Sequence, residues 1–532
     1  MGLASDIIAP LAEQWHDMTW STIALYGVVI FVTRLLIVSI YRLYFHPLAC
    51  YPGPLLCRIS ILPSLYYAWT GDRHLVVDKL HKAYGKVLRL EPNLISICTP
   101  NAIRSKIATP FAMTEVLTRV AAYGPGTKFE KGMFYSRGPK EKQLLVNLAS
   151  TTDKRVHARK RRIISHAMSE AAIRSYEPTI LDKTRLFCQR VSDPTTFEGP
   201  YKNMSRWFSF LTYDIMGELT FSQSYDMLTK SDNHFIQPLI DSYQHSQVIL
   251  GTEPKIEQWG LAPLLFLRIM AANQRFRKYV DDQVNGRIAL EKSGNGPSDI
   301  FKLLLDHKDK ETGESMEFKE LSDEAVVLII AASDTTGTAL AGLFFYLARY
   351  PACYKTLQQE IRSQFADVED IVGGPKLLGC KYMRACVDEA LRMSPGVPGF
   401  LTREAPEGAS IDGHYFAPRV QVGIPTWTMH RDPDVYPDPQ VFKPERWMVD
   451  SEEALQRLRS AYYPFSTGTR GCIGKNMAYH SIYLIVARLA FLFDIESRDS
   501  LPLEFHVKDH FAAGNKQGPY LKFTPSLTSA KD

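Results

Sequence analysis

The stretch from Thr19 to Phe45 is apolar almost throughout, with Arg34 and Arg42 as its only ionised side chains. About 20 apolar residues cross a bilayer as a helix, so a span over residues 20–41 is expected. Arg34 then falls off-centre, on the side of Arg42. A charge at mid-bilayer costs ~2.5–3.5 kcal/mol, and a long side chain displaced toward one end escapes part of that by reaching the interface. The residues before the span carry Asp6, Glu13 and Asp17, and those after it carry Arg42, His46 and Arg58. That bias places the C-terminal bulk of the chain in the cytosol. No basic leader precedes the run, which argues against a cleaved signal peptide; a helix lying in the interface is the alternative.

Beyond the span, His46 to Pro54 reads H-P-L-A-C-Y-P-G-P. The prolines stop any helix and stiffen the exit from the membrane. The expected organisation is a leading segment 1–19, the span 20–41, a Pro-rich hinge 42–60, one large domain 61–525 and a polar tail 526–532. Net charge is +5 with 22% charged residues, which suits a membrane surface or an acidic protein partner and not nucleic acid. Eight cysteines without a C-x-x-C pair suggest neither a zinc site nor a disulfide framework, and fit a reducing compartment. Helical patterns dominate the middle of the chain. The longest is expected from Ser322, an N-cap residue, to Tyr350, ended by Pro351 and apolar nearly all round. Short strands are expected at Val87–Leu90, Leu94–Cys98, Ser410–Ile411 and Val420–Ile424. The fold class is mainly α with small β-sheets.

Chemistry concentrates between Phe465 and Gly474, F-S-T-G-T-R-G-C-I-G. Cys472 stands in a loop with Gly468, Gly471 and Gly474, beside Arg470 and ahead of a helix expected over Lys475–Phe493. A free thiol has a pKa near ~8.5 and must be lowered by a metal, a dipole or a cation to act as a ligand. A helix N-terminus offers backbone N–H groups to the sulfur. Gly468 and Gly474 permit tight turns and close approach of a flat ligand. Phe465 can cover the sulfur, and Arg470 can neutralise a carboxylate. The layout suits a thiolate ligand to a haem iron. Within the long helix, Asp334 and Thr335 place an acid beside an alcohol in apolar surroundings, an expensive arrangement unless it is used. Thr335 can bond the carbonyl one turn back and loosen the helix locally, and the pair can relay protons through water. Glu389 and Arg392, three apart, share a helix face.

The loop carries every fixed position of F-x-x-G-x-R-x-C-x-G, the signature of the cytochrome P450 family, and the chain resembles that family over nearly its whole length. The resemblance implies the family's fold behind an N-terminal transmembrane helix, with haem b as cofactor and cysteine thiolate as axial ligand. Ala331–Thr336 resembles the family's oxygen-groove segment, with Ala332 in the place of its second glycine. Phe442–Trp447 resembles F-x-P-E-R-F, which implies that Glu389, Arg392 and Arg446 form a buried structural cluster holding the cysteine loop. His157 and Arg161 match W-x-x-x-R, with His157 in the tryptophan place, and Arg403 follows Pro398 as in P-x-x-x-x-R; all three are expected at the haem propionates. The rest of the basic run Lys154–Arg162 is expected to face an acidic reductase, and His430 to be a packing residue. The pocket is expected near Val327–Ala331, Val397–Leu401 and Phe111–Tyr123.

The implied activity is insertion of one oxygen atom from O2 into a lipophilic small molecule, by hydroxylation, epoxidation or oxidative desaturation, in fungal secondary-metabolite biosynthesis. The chain contains no G-x-G-x-x-G, so electrons are expected from a separate NADPH-cytochrome P450 reductase, with cytochrome b5 as a possible second donor. The expected location is the endoplasmic reticulum membrane, single-pass, with a cytosolic catalytic domain. The alternatives are a rearranging or peroxide-using haem enzyme, which retention of Asp334 and Thr335 argues against, and a non-catalytic haem sensor, for which no signalling domain is present.

Overall fold

A computed structural model describes residues 19–103, 122–123, 127–137, 146–308, 313, 315–514 and 517–526. Helix α1, Trp20–Ile40, continues through a π-helical turn to Phe45 and has no buried residue. It is long and apolar enough to cross a membrane. His46 takes an extended conformation and ends it. A second helix passes the same test of length and apolarity, but it is buried in the core.

That second helix is α7. It and five others form the frame of the domain: α2 (Lys154–Ala167), α3 (Glu170–Ser192), α4 (Met204–Phe221), α5 (Ile236–Thr252), α6 (Leu267–Lys292) and α7 (Phe318–Arg349). Beneath them lie α8 (Pro351–Gln364), α9 (Lys381–Met393) and α10 (Lys475–Leu492). The core centres on α7 against α4, where Trp207, Phe208, Phe210 and Leu211 meet Leu340, Leu343 and Phe344. Gly337 makes this approach possible: a Cβ there would lie 3.1 Å from the backbone of Ser209.

The long helix begins four residues before the expected Ser322, with Glu317 as its N-cap. Ser322 is a buried interior residue whose hydroxyl donates to Asp281 and accepts from Arg277. Arg277 also pairs with Asp323 at 2.9 Å. Polar residues that mark an end on an isolated helix are satisfied here by the neighbouring α6. At the other end Pro351 does stop α7 and opens α8.

The strands are short. One sheet has β1 (Val87–Glu91) antiparallel to β2 (Leu94–Ile97), then β7 (Gln421–Gly423) parallel to β2, and β4 (Arg403–Glu404) at its edge. A second has β3 (Lys202–Asn203), β11 (Tyr520–Pro525) and β8 (Phe493–Ser497). Hairpins β5 (Ala409–Ile411)–β6 (His414–Phe416) and β9 (Lys508–His510)–β10 (Ala512–Gly514) complete the set. Each of the four expected strands is present within a residue or two. The strands beyond α10 went unread, because they are short and their partners are distant in sequence.

Candidate active site

The loop before α10 is closed by two backbone bonds: Cys472 N–H donates to Phe465 O at 2.8 Å, and Gly471 N–H to Gly468 O at 3.0 Å. Gly468 has φ of 71°, and Ser466 at 57° shares that left-handed conformation, which a glycine adopts without cost. Gly474 is different. Its φ is −85° and no atom of the chain lies within 4 Å of where a Cβ would sit. The backbone therefore does not need glycine at 474; what glycine leaves there is open space beside the cysteine. Phe465 is half-buried, its ring 5.1 Å from that of Tyr479.

Cys472 presents exposed surface, yet burial is the largest influence on its thiol and pushes its pKa up. The backbone N–H groups of Gly474 and Lys475 and the charges of Arg161 and Lys475 pull the other way without winning. The expected dipole and cation contributions are thus present and act in the expected direction, and burial outweighs them.

Around this loop four cations gather. Arg470 donates to Thr151 O at 2.8 Å and Thr152 O at 3.1 Å, and Arg161 on α2 to Gly471 O at 2.8 Å. Arg403 on β4 donates to Thr402 O at 2.8 Å and to the Tyr135 hydroxyl at 3.2 Å. Lys131, which the sequence reading missed, donates to Ala149 O. Among the described residues none of the four has a carboxylate partner, whereas buried Arg287 and Arg392 are held by Asp299 and Glu389. The four fields overlap at His157, buried on α2, whose imidazole is lowered to about 3 by burial and then by Arg470, Lys131, Arg161 and Arg403. Burial and Arg403 likewise push Arg470 down to about 10. Such a cluster asks for an anion. A planar group with a thiolate-bound metal and two carboxylates fits the donor set, the open flank at Gly474 and the charge.

At the middle of α7 Thr335 Oγ1 donates to Ala331 O at 2.7 Å. Ala331 is exposed, and Ala332 and Thr335 are half-buried, inside an otherwise buried stretch. Asp334, next in sequence, turns elsewhere: it is fully buried and accepts from Gln244 Nε2 of α5 at 2.8 Å. No sequence signal pointed to Gln244. Loop residue Gly396 comes against Thr335, where a Cβ would lie 3.2 Å from the threonine Cβ. The β9–β10 hairpin is stitched between them, Thr338 Oγ1 donating to Ala513 O at 2.9 Å and Ala513 N–H to Gly396 O at 2.8 Å. Val327, Ile330 and Val397 are half-buried on this side; residues 111–121 of the expected pocket lie outside the described residues.

Glu389, Arg392 and Arg446 meet in the interior. Arg392 grips Glu389 with two bonds, at 2.9 and 2.8 Å, and Arg446 Nε adds one at 3.3 Å. Trp447, in the last place of its motif, contributes an indole N–H at 2.9 Å. Arg392 also donates to His430 O at 2.8 Å, and the His430 ring accepts from Tyr463 N–H at 3.1 Å, two residues before Phe465. The basic run on α2 does not present one face: Lys160 is buried against Glu320 and Glu324, at 2.6 and 2.8 Å, while Lys154, Arg155 and Arg162 stay exposed.

The family model described as cytochrome P450 matches residues 52–520. The chain is 34% identical to cytochrome P450 monooxygenase atnE of Emericella nidulans over 531 residues, 95% of this chain and 96% of the relative. It is 35% identical to cytochrome P450 monooxygenase poxM of Penicillium oxalicum, covering 91% of each. Over 209 residues, 39% of this chain and 91% of the relative, it is 84% identical to cytochrome P450 monooxygenase ataY of Aspergillus terreus. The chain belongs to the cytochrome P450 family. It is a monooxygenase that uses a haem-iron cofactor, O2 and a redox partner on a small-molecule substrate.

Proposed function

We propose that this enzyme inserts one oxygen atom from O2 into a lipophilic small molecule of fungal secondary metabolism, by hydroxylation, epoxidation or oxidative desaturation. One observation carries the reading of the site: a single cysteine at a loop–helix junction stands beside cations that, among the described residues, have no carboxylate partner. Haem b would satisfy both, held at its iron by Cys472 and at its propionates by Arg161, Arg403, Arg470 and His157. When bound, the haem supplies the oxygen-activating chemistry, which thiolate donation favours.

The chain's own residues position, shield and move protons. Gly474 leaves room for the porphyrin plane, and Phe465 keeps water from the sulfur. Arg161 ties α2 to the loop through Gly471 O. Glu389, Arg392 and Arg446 hold the loop from below. Thr335, on the half-open side of α7, is the proton donor to the reacting region. Asp334 replenishes it through water, as a general acid–base group behind the helix, and Gln244 orients that carboxylate.

Electrons come from an NADPH-cytochrome P450 reductase, with cytochrome b5 as a second donor. Helix α1 serves as a single-pass anchor in the endoplasmic reticulum, the hinge 42–60 follows, and the domain 61–525 stands in the cytosol. An exposed apolar surface beside the hinge supports this seating: Leu55, Leu56, Leu62 and Tyr66 lie near Leu264 and Leu265, the two groups joined by Trp69 stacking on Phe266 at 5.5 Å. The test is the reduced, carbon monoxide-bound spectrum of wild type and Cys472→Ser. A thiolate-type band is expected in wild type and lost in the variant. Its absence from folded, haem-loaded wild type would refute the ligand assignment.

A further inference from the structure

Lys131 belongs to no motif. It lies between Glu130, bridged to Glu404 on β4, and the short helix Met133–Ser136. It is 8% exposed. Its ammonium donates to Ala149 O and stands 4.8 Å from the centroid of the Tyr135 ring. An ammonium has three N–H donors, and among the described residues one carbonyl and one ring face meet them. Among the described residues no carboxylate pairs with it, and the adjacent Glu130 is taken by Lys154 at 3.1 Å. The charges that act on it are Arg403 and Arg470, both of its own sign. Burial and those two guanidiniums hold its pKa well below the usual lysine range.

A lysine among like charges in a desolvated place gives up its proton unless an anion reaches it, and an anion there restores its charge. Tyr135 marks where that anion arrives. Its ring lies under Lys131, its hydroxyl accepts from Arg403 at 3.2 Å, and the Arg403 guanidinium stands 5.7 Å from the same ring. Lys131 and Arg403 therefore both lie against one aromatic platform, within the field of Arg470. We propose that Lys131 is an additional ligand to a haem carboxylate, its ammonium making a charge-assisted hydrogen bond to a propionate oxygen beside Arg403. This rests on the haem reading above.

The test uses purified holoenzyme of wild type, Lys131→Met and Lys131→Arg. Two readouts apply: the rate of haem transfer to excess apomyoglobin, and the propionate-bending band in the resonance Raman spectrum of the ferric protein. Lys131→Met should speed haem loss by about tenfold to a hundredfold, the size of one lost charge-assisted hydrogen bond, and should move the propionate band. Lys131→Arg, which keeps the charge, should restore most of both, with far-UV circular dichroism of each variant matching wild type. Unchanged haem loss and an unmoved band in Lys131→Met would overturn the inference while leaving the cofactor reading intact. Faster loss with an unmoved band would also overturn it, because that is the signature of general loosening. Folded wild-type protein that carries no haem would overturn the cofactor reading, and the inference with it.

Discussion

Replacing Glu389 by glutamine removes the negative charge from a pair of guanidiniums in a site buried away from solvent. The carboxylate is fully buried and accepts five bonds: two from Arg392, one from Arg446, one from the Lys443 amide at 3.1 Å and one from the Trp447 indole. Burial pushes its pKa up, but Arg392 and Arg446 more than offset this and leave it below the usual carboxylate range. In glutamine one oxygen becomes an NH2 donor facing donors, and both guanidiniums lose their counter-charge. Removing one partner of a buried ion pair costs about 3–5 kcal/mol, a large fraction of the ~5–15 kcal/mol that holds a domain folded. The damage has a direction. Arg392 fixes the His430 carbonyl, and the His430 ring fixes Tyr463 at the entrance to the cysteine loop. Urea unfolding of the holoenzyme followed by far-UV circular dichroism, alongside the carbon monoxide spectrum, should show the thiolate band failing at lower urea than the helices. Unfolding of Glu389→Gln within about 1 kcal/mol of wild type, with an undiminished thiolate band, would refute the reasoning.

Trp447→Phe keeps the packing but removes one N–H from a charged acceptor, and should cost about 1.5–3 kcal/mol in the same urea titration. His430 is buried and neutral, its pKa lowered from 6.5 to about 3 by burial and then by Arg392 and Arg431. Its contribution is therefore fully present above the unfolded value and is lost as pH falls from about 6.5 toward 3; stability at pH 5 should be lower than at pH 7.5, and equal or greater stability at pH 5 would contradict the assignment. Thr335→Ala should divert NADPH-derived electrons from product to hydrogen peroxide, read as the ratio of NADPH consumed to peroxide and product formed. Gln244→Leu removes a hydrogen bond to Asp334 and should shift the same ratio in the same direction, with a larger solvent isotope effect on product formation.

Local chemistry was legible where a residue's role depends on its immediate neighbours in the chain. The apolar run of α1, the proline-rich exit, the cysteine loop with its glycines, and the Thr335 hydroxyl bound one turn back all follow from spacing within a few residues. The start of α7 was misread because Ser322 and Asp323 are satisfied by Arg277 and Asp281 of another helix, a compensation invisible from within the segment. Lys131, Gln244 and the β9–β10 hairpin were missed for the same reason: each acquires its meaning from residues far away in sequence, Arg403 and Arg470, Asp334, and Thr338 respectively.

The sequence by itself determined that a thiol, several cations and an acid–alcohol pair are available, because covalent order sets which groups sit side by side. Only the tertiary structure decided which cations lack carboxylate partners, which way Asp334 faces, and what connects Glu389 to the loop, because desolvation and charge pairing depend on distances through space that chain order does not encode.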